Sequence, residues 1–235
     1  MATVKILEES VQVGTIYAIG KNYEAHAKEM QEYETKKLRE VPSPSEPIVF
    51  SKPASSLITS GEPISISQVN GQPLGHDLHH EVELVVLIGR DCVNVTAENA
   101  LNFVAGYAVG LDMTLRDRQT KAREQGHPWF ISKGFRSSGA VSGFVPAAGL
   151  QPNHLFLELK RNGLAVQRGS TSKMIHSCES LISYLSQVFK LEAGDLIFTG
   201  TPEGVGAVFP GDLLEAKLLE ESTGKLLAQL SVSVQ

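Results

Sequence analysis

The stretch His79-His80-Glu81-Val82-Glu83-Leu84-Val85-Val86-Leu87-Ile88-Gly89 decides how this chain is read. From Val82 to Ile88 it has strand length and is apolar on both faces, the pattern of a strand buried in the middle of a sheet. Side chains at i and i+2 of a strand share a face, so Glu81 and Glu83 point the same way with Cα atoms ~6.6 Å apart. Two like carboxylates on a buried strand repel each other and resist leaving water. A proton, a Lys or Arg, or a metal ion would relieve them. The alternative is that the strand begins at the rim of the sheet and both carboxylates are wet. The pair leads straight into an apolar run, which favours the metal.

A hard cation needs further oxygen ligands. A second apolar run, Val104-Ala-Gly-Tyr-Ala-Val-Gly-Leu-Asp112, ends in a carboxylate, so Asp112 is the third candidate ligand. Its competing role is as the N-cap of a helix that starts just after it. An all-carboxylate site without Cys suits Mg²⁺ or Mn²⁺ better than Zn²⁺. His76, His79 and His80 match neither the two-His helix motif nor a Cys/His finger spacing. His80 faces away from the glutamates and His79 shares their side, and neither is taken as a ligand.

Outward from these two runs the pattern is mostly β. Short apolar stretches recur at Ile16–Ile19, Ile48–Phe50, Ile64–Ile66, Leu155–Leu159, Leu196–Phe198, Leu213–Leu219 and Leu226–Val234. Asn162-Gly163 and Thr223-Gly224 read as hairpin turns, the first tolerating the positive φ of a tight two-residue loop. Three segments read as helices: Asn22 to about Leu38, Thr114 to Gln125, and Cys178 to Leu191.

The 235 residues are enough for one domain with a substantial core. A net charge of −5 argues against a partner that is nucleic acid. No apolar run is long enough to span a membrane. The N-terminus carries charge where an export signal needs its apolar region, and Cys92 and Cys178 do not make a disulfide framework. These features predict a cytoplasmic globular protein.

Other residues with chemical potential are scattered along the chain. His26 and Glu29 stand at i and i+3 of the first helix, where a carboxylate can orient an imidazole and raise its basicity, although such pairs are commonly surface contacts. Lys133 sits among Trp129, Phe130 and Phe135, either half-buried beside an anion or reaching to the surface. Arg116 and Gln119 could clamp a carboxylate. Thr199-Gly-Thr-Pro-Glu-Gly-Val-Gly206 follows a strand but lacks the P-loop ending and the Rossmann spacing. It reads as a glycine loop whose N–H groups can face a small anion.

In this order these motifs resemble the fumarylacetoacetate hydrolase family, most closely its short acylpyruvate hydrolase and oxaloacetate decarboxylase type. The motifs are Gly20-Lys-Asn-Tyr23, the His26…Glu29 helix, Phe50-Ser-Lys-Pro53, His79-His-Glu-Val-Glu83, Gly110-Leu-Asp-Met-Thr-Leu-Arg-Asp117, Lys133 with Phe135, and the 199–206 loop. The resemblance implies an α+β, β-rich fold, a mixed β-sandwich roll, in a single catalytic domain over 1–235. It implies a homodimer, a Mg²⁺ (or Mn²⁺) site on Glu81, Glu83 and Asp112, and a mobile lid, helix plus return loop, over 22–45. The lid would bring the catalytic His26 and Glu29 to Lys133, with Asn22, Arg116, Gln119, Gly200 and Thr201 facing the ligand. Lys52 would lie nearby without an assigned role. The charged, Pro-rich connection at about 31–45 looks longer than in the short family members.

The implied activity is Mg²⁺-dependent hydrolysis of the C–C bond of acylpyruvates, with the metal as Lewis acid stabilising a pyruvate enolate. The same enolate serves oxaloacetate decarboxylation and keto–enol tautomerisation, so both stand as alternatives. A binding module for dicarboxylates without turnover is a further alternative, against which His26 and Lys133 argue, because binding alone needs no base.

Overall fold

The computed structural model describes residues 2–34 and 45–235. The run Val82–Ile88 is the middle of an eight-stranded mixed sheet. Val82–Ile88 lies antiparallel to Leu196–Phe198 on one side and to Val104–Asp112 on the other. Every residue of it is buried, as double-sided apolarity required. Beyond Leu196–Phe198 come Ile16–Gly20 and then Ile48–Lys52 at the edge. Beyond Val104–Asp112 come Gly139–Val141 and Leu57–Thr59.

The two faces of the central strand enter two cores. Val82, Leu84, Val86 and Ile88 pack with Leu155, Leu157, Leu214, Leu218, Leu230 and the helix Cys178–Val188. These partners come largely from a four-stranded antiparallel sheet in the order Leu164–Ser170, Leu155–Arg161, Leu213–Glu220, Leu226–Ser233. Val85 and Leu87 pack on the other face with Ile16, Ala108, Val141 and Phe198. Each such side chain contributes about 1.5–3 kcal/mol on burial. The strand is therefore anchored strongly enough to carry two carboxylates at its start. Glu81 and Glu83 continue the row of Val85 and Leu87, so the site opens on that second face.

The Asn162-Gly163 hairpin forms as read, with φ of 53° and 81° at the two turn residues. Several expectations are corrected. Thr114–Leu115 is a short strand paired to Leu78–His80, and the helix begins only at Arg116. Asp112 is therefore no helix cap; it ends a strand. Ile64–Ile66 makes a single bridge, Ile64 to Val234, and no strand. The N-terminal hairpin Thr3–Ile6/Glu9–Gln12 was not anticipated, since its alternation is mostly polar. The helix expected to form a lid spans Glu24–Glu34, and residues 35–44 of that expected segment lie outside the described residues. Among the described residues no helix is long and apolar enough to cross a membrane.

Candidate active site

The strand containing Glu81 changes partners at that residue. Leu78–His80 belongs to a three-stranded sheet with Thr114–Leu115 and Gly206–Ala207, and Val82 opens the central strand. Asp112 arrives across the ladder: its N–H donates to Glu81 O at 2.8 Å, and Gly110 stands opposite Glu83. A side chain at 110 would collide, since a Cβ would lie 2.9 Å from both Ala140 O and Phe198 Cε1. The antiparallel register thus gathers Glu81, Glu83 and Asp112, which offer oxygens all within 4.8 Å of one another. All three are 4 % exposed or less, so the wet-rim alternative does not hold.

Cations surround two of them. Lys133 Nζ donates to Glu81 Oε2 at 2.6 Å and Asp112 Oδ2 at 2.7 Å. Arg116 Nη2 donates to Glu81 Oε1 at 2.5 Å. Lys52 Nζ lies 2.6 Å from Asp112 Oδ1 and also donates to Ser138 O at 3.0 Å. Burial works against charge on Glu81, but Lys133 and then Arg116 hold its carboxyl far below the usual range. Lys133 is likewise raised, because Asp112 and Glu81 outweigh its burial. Glu83 goes the other way. Burial first, then the charges of Asp112 and Glu81, push its carboxyl well above the usual range, opposed by Lys133 and the Gly200 N–H. Of the three remedies foreseen for the pair, Glu81 takes cations and Glu83 leans to a proton. The third, an ion, fits the three converging oxygens. The donor set is hard and anionic, suited to a divalent cation.

The 199–206 loop binds both poles of the site. Gly200, at φ 95°, turns its N–H onto Glu83 Oε2 at 2.8 Å. Gly204 N–H reaches Glu29 at 3.0 Å. Glu29 in turn lies 3.2 Å from His26 Nδ1. Burial opposes ionisation of Glu29, yet the hydrogen bonds from His26 and Gly204 lower its carboxyl overall. A carboxylate there accepts from Nδ1–H and leaves Nε2 as the basic nitrogen.

Between the poles is a cavity of about 30 Å³. His26, Glu81, Glu83, Arg116, Gln119, Lys133 and Thr201 line it, with Phe50 and Trp129 as the apolar wall. Gln119 Oε1 accepts from Arg116 Nη1 at 2.6 Å, leaving its NH₂ group for other acceptors. Asn22 is not in this wall. Its NH₂ donates to His176 O (2.9 Å) and Thr199 O (2.8 Å), and its Oδ1 accepts from His176 N (2.7 Å). A side-chain amide so engaged ties the Gly20–Tyr23 turn to two other segments, and the expected ligand contact is corrected accordingly. Gly200 also lies behind the wall, acting through Glu83. The two histidines set aside as ligands stay out of the site: His79 pairs with Asp77 and His80 with Gln167, each at 2.8 Å. The sequence reading missed the grip of Lys52 on Asp112 and had no place for Gln167. The signal for Lys52 was a charged residue ending an apolar strand.

Comparison with known proteins agrees with this architecture. The family profile described as fumarylacetoacetate (FAA) hydrolase C-terminal matches residues 15–231. The chain is 43 % identical over 218 residues to the mitochondrial oxaloacetate tautomerase of Rattus norvegicus, covering 92 % of each chain. It is 41 % identical over 203 residues to the mitochondrial oxaloacetate decarboxylase of Dictyostelium discoideum, covering 85 % of this chain and 86 % of that one. Among solved structures it superposes on the fumarylpyruvate hydrolase of Pseudomonas aeruginosa, in complex with Mn²⁺ and pyruvate, with TM-score 0.83 and 36 % identity. That match covers 99 % of this chain and 95 % of the other. With its strand-rich α+β fold and these enzymes as its relatives, the chain is an enzyme and belongs to the fumarylacetoacetate hydrolase family.

Proposed function

We propose that the enzyme interconverts the keto and enol forms of oxaloacetate, and decarboxylates it at the same site, with Mg²⁺ or Mn²⁺ held by Glu81, Glu83 and Asp112. The carrying observation is the buried carboxylate triad and the His26–Glu29 pair on the two sides of one cavity. When bound, the divalent ion supplies Lewis acidity toward the oxygens of a 2-oxo acid. The chain's own groups supply the rest. His26 Nε2, with the ring oriented by the hydrogen bond from Nδ1 to Glu29, takes and returns the proton at the carbon next to the carbonyl. The Lys133 ammonium and the Arg116 guanidinium hold the developing negative charge on oxygen. Phe50 and Trp129 exclude water. Relatives named as oxaloacetate tautomerases and a decarboxylase support this order of readings over the hydrolase-first expectation.

Acylpyruvate hydrolysis is the second reading. The His26–Glu29 pair favours it, since the same Nε2 can activate a water, and so does the likeness to a fumarylpyruvate hydrolase. A homodimer, expected from the resemblance, is part of the proposal and is checked by sedimentation. The test of function is oxaloacetate assayed for enol absorbance and for pyruvate, beside acetylpyruvate, with Mg²⁺ and with EDTA. Rapid enol–keto exchange abolished by EDTA is expected. Fast turnover of acetylpyruvate with none of oxaloacetate would make the enzyme a hydrolase.

A further inference from the structure

Gln167 lies outside the cavity wall and outside every motif quoted above, yet it touches both the start of the Glu83 strand and the 199–206 loop. It stands on Leu164–Ser170, in the four-stranded sheet, and is 2 % exposed. Its Oε1 accepts from Val82 N at 3.0 Å and His80 Nδ1 at 2.8 Å. Its Nε2 donates to Thr201 Oγ1 and Pro202 O, both at 2.9 Å.

The orientation of this amide follows from its neighbours. The Val82 N–H can only donate and the Pro202 carbonyl can only accept, so Oε1 faces the first and Nε2 the second. The Val82 N–H needs such a partner. The neighbouring strand Leu196–Phe198 ends opposite Val85, leaving Val82, between Glu81 and Glu83, beyond that ladder. With the amide fixed, two hydroxyl and ring polarities are fixed as well. His80 carries its proton on Nδ1. Thr201 Oγ1 receives a hydrogen bond from Gln167, so its own proton is left to point elsewhere. Thr201 lines the cavity, and its hydroxyl donates to no acceptor identified among the described residues.

We infer that Gln167 is a positioning residue that presets the Thr201 hydroxyl as a hydrogen-bond donor to an anionic oxygen of the bound acid, while bracing the backbone between the two glutamates. The loop it braces is packed close. A Cβ on Gly169 would lie 2.5 Å from Pro202 Cβ, and one on Gly204 2.5 Å from Val166 O. These contacts hold the Pro202–Gly204 backbone against the strand that carries Gln167. A hydrogen bond to a charged group is worth about ten- to hundred-fold in affinity.

The inference rests on the cavity being a site for 2-oxo acids, and the test separates the two claims. Oxalate is titrated calorimetrically into Mn²⁺-saturated wild type, Gln167→Glu, Thr201→Val and the double variant, and Mn²⁺ alone is titrated into each. A glutamate at 167 still accepts from Val82 and His80 but draws the Thr201 proton to itself. Gln167→Glu should weaken oxalate about ten- to hundred-fold with Mn²⁺ affinity unchanged. Adding Thr201→Val should then cost nothing further. Equal losses from Thr201→Val in both backgrounds, or wild-type oxalate affinity in Gln167→Glu, would overturn the role of Gln167. So would a parallel loss of Mn²⁺ affinity, which marks a general disturbance of the site. If Gln167→Glu does not fold, Gln167→Met, which no longer presets the Thr201 hydroxyl, enters the same cycle: a smaller loss from Thr201→Val than in wild type is expected, and an equal one would overturn the role of Gln167. No oxalate binding by wild type would overturn both this inference and the functional reading.

Discussion

The carboxylate cluster and the His26–Glu29 pair face each other across one cavity, but they are built in different ways. Glu81, Glu83 and Asp112 hang from two adjacent strands of the buried sheet. Their cations arrive from three further places in the chain, Lys52, Arg116 and Lys133. His26 and Glu29 come from a single turn of one helix, and backbone N–H groups of the 199–206 loop tie Glu29 to the body. The Glu29 side chain is 34 % exposed, against 6 % or less for Glu81 and Asp112. Long-range pairing gives the first pole its geometry before any ligand arrives. The second pole takes its place from the helix Glu24–Glu34. Binding of the ion should thus be a property of the sheet, and proton transfer a property of the helix.

The largest effect that could break this contrast is at Glu83. Glu83→Ala should abolish Mg²⁺-dependent turnover of oxaloacetate and leave the fold intact or tighter, because one of the repelling carboxylates is gone. A turnover assay paired with a thermal melt checks both halves. Next comes His26→Ala. It should cost ~10²–10⁴-fold in enol–keto exchange, which moves a proton, and distinctly less in decarboxylation, since CO₂ leaves without a base. Mn²⁺ affinity should not change. A variant that loses ion and turnover together would mean the poles are not separate.

Lys133→Met probes the cluster itself. It leaves Glu81 and Asp112 without their shared ammonium, a buried pair broken on one side, which costs about 3–5 kcal/mol. Urea unfolding of the metal-free protein should show this, with saturating Mn²⁺ recovering part of it. The smallest effect is in pH. Glu83 sits above its ordinary range because of burial and the charges of Asp112 and Glu81. An ion needs it ionised, so Mn²⁺ binding should release a proton and tighten with rising pH, up to about tenfold per unit, until Glu83 is ionised in the free protein. Without metal the sign reverses. The stability from a neutral Glu83 is complete below the unfolded carboxyl's value and is lost as pH rises through the raised folded one.

How much of this was legible in the sequence follows the same division. The glutamate pair could be read because strand parity is local: i and i+2 share a face wherever the strand goes. Asp112 could be read because its apolar run ended in a carboxylate. The His26–Glu29 pair was readable as i, i+3 neighbours on a helix. Contacts made by folding were not readable. Lys52 reaches Asp112 only because Ile48–Lys52 and Gly139–Val141 bring it beside Ser138. Gln167 sits in an alternating strand that looks like any hairpin arm. Asn22 lay in a motif and was assigned to the ligand, but its amide is taken by His176 and Thr199, more than 150 residues away in sequence. Residue type and spacing signal which groups carry chemistry; they do not signal which buried amide is left over for a substrate.

The most direct test of the central claim is calorimetric titration of Mn²⁺ into metal-free wild type and Glu83→Ala, in two buffers of different ionisation enthalpy. One ion per chain, with proton release below the Glu83 titration, and no binding by the variant is the predicted result. Wild-type Mn²⁺ affinity in Glu83→Ala would contradict it and move the ion away from the Glu81, Glu83 and Asp112 carboxylates.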